Sequence, residues 1–139
     1  MKALVLFLCI MTVSMLQAQL PGTSVSTKRD KGYLLDSIFP IDDIVSIQVT
    51  NFSGTHTLTT KELTALKDQL KQATYSGGLL VKPGHITVSI KLKDDAIAKP
   101  GFVYASTGNI HFDGGIDKVK QHFSGTFYLP TQLNFDNYK

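Results

Sequence analysis

The chain has 139 residues, 14 Lys and Arg against 11 Asp and Glu, 42% hydrophobic residues and one cysteine. A charge this near balance, with no basic run or basic helix face, argues against nucleic acid as a partner. A single cysteine permits no internal disulfide and no thiolate metal cluster.

The first residues, MKALVLFLCIMTVSMLQA, have the layout of a secretory signal peptide. Lys2 and the terminal amine supply positive charge, Ala3 to Met15 are apolar, and Ala18 is a small residue at the cleavage point. The apolar stretch is short for a membrane span, which needs about 20 residues. Lipidation at Cys9 is not expected, because Leu8 precedes it and a cut there would halve the apolar region. Residues 1–18 are therefore expected to be removed, with no lipid anchor. The remaining 121 of 139 residues keep 13 Lys and Arg against 11 Asp and Glu and have no cysteine. No second apolar stretch suggests a membrane span. The expectation is an exported protein, periplasmic or extracellular, and the Ala-Gln junction and missing cysteines point to a bacterial source.

Residues 19–32, ending in GTSVSTKRDKG, are small and polar and read as a flexible lead-in. A single domain over 33–139 follows, long enough to bury a core without staples. YLLDSIFPIDD is too apolar for a linker, and Pro40 blocks a regular helix, so the sequence predicts an edge segment laid against the core. DIVSIQVTN alternates, with Val45, Ile47 and Val49 on one side, and predicts a half-buried strand closed by a turn at FSGT. Helix 60–74 is announced by a capping box, Thr59 with Glu62 three residues on. Leu63, Leu66, Leu70 and Ala73 give it an apolar stripe, and Gly77 and Gly78 are read as its stop.

HITVSIKLK (His85 to Lys93) alternates as a second strand, with Ile86, Val88, Ile90 and Leu92 inward. FVYAS and NIHF flank Thr107-Gly108 and predict a tight hairpin. Ile116, Val119 and Phe123 lie at helical spacing between Asp117 and Gly125, which predicts a second helix over 116–123. TFYLP is a short strand ended by Pro130, and Leu133, Phe135 and Tyr138 make the tail too apolar to float free. The expected class is α+β: an antiparallel sheet in the order β-α-β-β-β-α-β, with one main helix packed on one face.

Only NIHFDGG resembles a chemical site. Asn109, His111 and Asp113 alternate along a strand and so leave one face. A histidine and a carboxylate can hold a divalent cation, but structural zinc takes four ligands and catalytic zinc about three. His85 or His122 would have to complete the set. A calcium loop started at Asn109 puts glycine sixth but His111 third and Lys120 twelfth, against the required pattern. HFSGTF lacks the exposed nucleophile turn of a hydrolase. The expectation is therefore no catalytic residue, no cofactor and no bound metal, with His111 and Asp113 facing solvent and leading into the 116–123 helix. Asn51-Phe52-Ser53 matches a glycosylation acceptor. The tyrosines Tyr33, Tyr75, Tyr104, Tyr128 and Tyr138, with Phe52, fall near element ends and suit an interface. Two functions follow: a non-catalytic module binding an extracytoplasmic protein or glycan, or a small secreted hydrolase or metal-dependent enzyme using His85, His111, Asp113 and His122.

Overall fold

The computed structural model describes residues 32–77 and 86–138. The signal-like segment, most of the lead-in, Cys9 and His85 lie outside the described residues. What is described is an α+β domain: seven antiparallel strands in one sheet and one α-helix. The strands are β1 (Ile44–Asn51), β2 (Gly54–Thr57), β3 (Thr74–Gly77), β4 (Ile86–Leu92), β5 (Phe102–Ser106), β6 (Asn109–Ile116) and β7 (His122–Tyr128). The helix, α1, runs Thr60–Lys71. Across the sheet the order is β2-β1-β4-β5-β6-β7-β3. α1 thus joins strands at opposite edges of the sheet, and Leu66 and Leu70 belong to the same buried cluster as Ile47, Val49, Ile90, Phe112 and Phe127.

The capping box is present: the Thr59 hydroxyl accepts from the Glu62 amide, and the Glu62 carboxylate accepts from the Thr59 amide. The helix stops earlier than its apolar stripe suggests. Gln72 caps it, and Thr74–Gly77 leave as β3 to pair with β7. The competing force is backbone pairing. The Leu35 amide donates to Ala73 O, and the Tyr75 amide donates to Tyr33 O. Ala73 stays buried, but outside the helix. The 33–43 segment forms two single 3₁₀ turns, Leu35–Ser37 and Ile41–Asp43, that bury Leu35, Phe39 and Ile41 completely.

The helix expected over 116–123 does not form, so the element order β-α-β-β-β-α-β gives way to β-β-α-β-β-β-β-β. Ile116 is the last residue of β6 and exchanges both backbone hydrogen bonds with Lys99. Asp117 is not a first-turn helix residue: its Oδ1 accepts from the Val119 and Gln121 amides and closes a loop in which Lys120 takes a φ of 65°. A short polar side chain that bonds its own neighbours offers the backbone an alternative to the helix. Val119, assigned to the apolar stripe, is 70% exposed. Phe123 and Phe127 are buried through the alternation of β7, and Ser124 and Gly125 are strand residues, not helix punctuation.

Candidate functional site

One face of the sheet carries the core. The other carries a hydroxyl-rich row set by strand register. Thr55 pairs with Thr50, Thr50 with Thr87, Thr87 with Tyr104, Tyr104 with His111, and His111 with Thr126. Five steps at about 4.8 Å put Thr126 roughly 24 Å from Thr55. The next row, two residues along each strand, holds Thr57, Gln48 and Ser89, then Phe102 and Asp113. Between Ser89 and Phe102 the ladder is interrupted: β4 and β5 pair only at Ile86–Ala105 and Thr87–Tyr104. There the outer face opens into a groove of about 410 Å³ whose lining includes Thr50, Thr87, Ser89, Pro100, Phe102 and Tyr104.

The opening has a physical cause in the chain leading into β5. Lys99 bridges to Ile116 of β6, and Gly101 sits at φ 67° with no room for a side chain. A Cβ there would lie 2.5 Å from Asp113 O and 2.7 Å from both Gly114 C and Gly115 N. Those atoms belong to a bulge in β6, where the register with β7 slips between Phe112 and Gly115. The Gly114 amide turns out of the ladder to donate to Ser124 Oγ at 3.0 Å. The start of β5 is thus held close to β6 and does not continue its pairing with β4. Pro100, with no N–H, could not have donated to β4 in any case.

NIHFDGG is part of this face. Asn109 is half-buried and its amide donates to Ser106 Oγ and Thr107 O across the hairpin turn. His111 is not the solvent-facing residue expected from alternation: it is 8% exposed, and its Nδ1 lies 2.9 Å from Thr126 Oγ1. It lies on the outer face but among neighbours on both adjacent strands, with the Tyr104 ring 6.5 Å away. Burial pushes its imidazole below the usual histidine range, and the Asp113 charge works weakly against that shift. Asp113 is exposed, paired across the ladder with Phe102, and leads into a bulge, not into a helix. His122 pairs with Ile116, four residues along β7 from Thr126, or about 13 Å. Among the described residues no three His, Cys, Asp or Glu side chains come together as a metal-ligand group.

Two features escaped sequence reasoning. His56 Nε2 lies 3.2 Å from Glu62 Oε2, and its ring stacks on Tyr138 at 5.8 Å. Glu62 is held down at about 2 by the Thr59 backbone amide, the Thr59 hydroxyl and His56, in that order. The hollow beside this pair is about 40 Å³, close to the space of one water and too small for a substrate. The pair therefore closes the helix start and docks the tail. The second feature is Asn51, whose Nδ2 donates to Tyr138 O at 2.9 Å and Phe135 O at 3.4 Å while Oδ1 accepts from the Ser53 amide. In the folded chain the glycosylation-like pattern anchors the C-terminal segment, and a glycan on Nδ2 would displace one of those N–H bonds.

No protein-family model matches the sequence, and no curated protein or solved structure shows significant similarity to it.

Proposed function

We propose that the mature chain works outside the cytoplasm as a non-catalytic binding module, with the outer face of its sheet as the recognition surface. The observation that carries this reading is the groove between β4 and β5: a concavity on a face rich in hydroxyls, beside a phenylalanine that is 72% exposed. Small-ligand sites are concave, mix apolar walls with a few placed polar groups, and commonly enclose about 300–1,000 Å³. The partner is an extracytoplasmic protein or glycan. Export is supported by the charged start, apolar stretch and Ala18 of residues 1–18. No observation favours the hydrolytic reading, since His122 stands about 13 Å along its strand from the partner of His111.

Two measurements test the proposal. Intact mass of the exported protein should give a start near Gln19 without a lipid adduct, and a retained N-terminus or a diacylglyceryl mass on Cys9 would refute export by this route. Tagged mature protein should capture a specific component of the extracytoplasmic fraction that Ser89→Arg, which blocks the groove, does not capture. Equal capture by both would place recognition elsewhere.

A further inference from the structure

We infer that the groove between β4 and β5 takes a neutral oligosaccharide, an inference that rests on the outer face being the recognition surface. Its lining residues are all uncharged, in a chain that is 18% charged. The flanking charges are Lys91, two residues from Ser89, Asp113, opposite Phe102, and the exposed Lys99 before Pro100, and none of them is in the lining. An ionic ligand seated in the groove would give up hydration without meeting a charged side chain in the lining itself.

The two walls differ in chemistry. On β1 and β4, Thr50, Thr87 and Ser89 present exposed hydroxyls. Thr50 Oγ1 already shares a hydrogen bond with Thr55 Oγ1 at 2.9 Å, while a hydroxyl such as that of Thr87 or Ser89 can both donate and accept. Sugar hydroxyls have the same dual character, so either partner can orient its proton to suit the other. On β5, Phe102 exposes its ring, and Tyr104 lies beside it, half-buried. An aromatic face is electron-rich and attracts the weakly positive C–H edge of an apolar neighbour. A pyranose ring offers C–H groups on its faces and hydroxyls around its rim, so one sugar satisfies both walls.

A peptide strand fits less well. The Thr87–Tyr104 rung closes the wedge at one end and β4 ends at Leu92, so its open edge runs about 17 Å, and the chain returns from there directly into β5. Pro100 lacks the N–H that the opposite edge of an inserted strand needs. A short saccharide requires neither a long edge nor a ladder.

The test titrates the mature protein with cellohexaose, maltohexaose and chitohexaose, using a galacturonic acid hexamer as the charged comparator. Calorimetry is run on the wild type, on Phe102→Ala and on Phe52→Ala, an exposed aromatic in the β1–β2 turn and outside the groove. At least one neutral hexamer should bind, about tenfold or more weakly to Phe102→Ala and within about twofold of wild type to Phe52→Ala. Thermal melts confirm that both variants fold. Failure of all three neutral hexamers at millimolar concentration, preference for the galacturonate, or unchanged binding by Phe102→Ala overturns the inference. The same three proteins serve as baits for the extracytoplasmic fraction. A component lost only by Phe102→Ala, with no saccharide bound, removes the glycan and leaves the outer face as the binding surface. No component and no saccharide removes both.

Discussion

Alanine substitution at two glycines of matched conformation isolates the contact that opens the groove. Gly101 and Gly114 have φ values of 67° and 68°. An alanine at either position meets the same left-handed penalty, about 1–2 kcal/mol. Restriction of the unfolded chain is also common to both and cancels in the difference. Only the surroundings differ: a Cβ on Gly114 meets nothing within 4 Å, whereas a Cβ on Gly101 falls 2.5–2.7 Å from three backbone atoms of β6. Backbone cannot rotate aside as a side chain can, so overpacking adds about 1–3 kcal/mol at Gly101. Gly114→Ala should therefore cost about 1–2 kcal/mol and Gly101→Ala about 2–5 kcal/mol. Urea unfolding of the mature protein reads both, and unchanged m-values license the comparison. Losses equal within about 0.5 kcal/mol would show that the start of β5 yields freely, and the explanation for its parting from β4 would fall.

Leu66, which is 1% exposed, should cost about 2–5 kcal/mol as Leu66→Ala in the same assay. Lys67→Ala, neutral on the helix stripe alone, should cost about 0.5–1.5 kcal/mol, because Nζ donates to Asp42 O at 2.9 Å and Ile44 O at 3.3 Å. Glu62 is depressed from 4.5 to about 2 in the folded chain, so its contribution is complete above pH 4.5 and disappears as pH falls towards 2; Glu62→Gln should flatten that part of the acid limb. His111 is shifted the same way by burial. The unfolded chain then takes up a proton first, and stability should fall as pH drops below about 6.5, a slope that His111→Gln removes.

The fold class was legible because period-two alternation is a local property. It places Val49, Val88 and Ile90 inward, and they are buried, whereas Val45, on the same side by alternation, is 48% exposed at a register slip between Ile44 and Ser46. The Thr107-Gly108 hairpin was legible from glycine, which holds a φ of 74° there. What local pattern missed was decided at a distance. Ala73 continues the helical stripe, but its carbonyl accepts from the Leu35 amide and the Tyr75 amide donates to Tyr33 O, 38 and 42 residues back, so the chain turns extended. Phe123 fits a helix from Ile116 and equally a strand through Phe127. Three apolar positions cannot separate the two periods, and Asp117 decides for the strand by closing the loop.

Alternation also fixes which face a residue leaves but not how deeply it lies on that face. The spacing of His111 from Asn109 and Asp113 puts it on the outer face, and it is there. Its burial comes from β5 and β7, whose register the sequence does not print. The two glycines that follow read in sequence as a turn into a helix. Gly114 instead takes the φ of 68° that lifts its amide out of the ladder, and Gly115 has no side chain because a Cβ would meet the Phe123 ring at 2.5 Å and Pro100 O at 3.0 Å. That missing side chain lets the 99–101 segment close onto β6, and the same closeness parts β5 from β4. The groove is thus a consequence of NIHFDGG without including any residue of it.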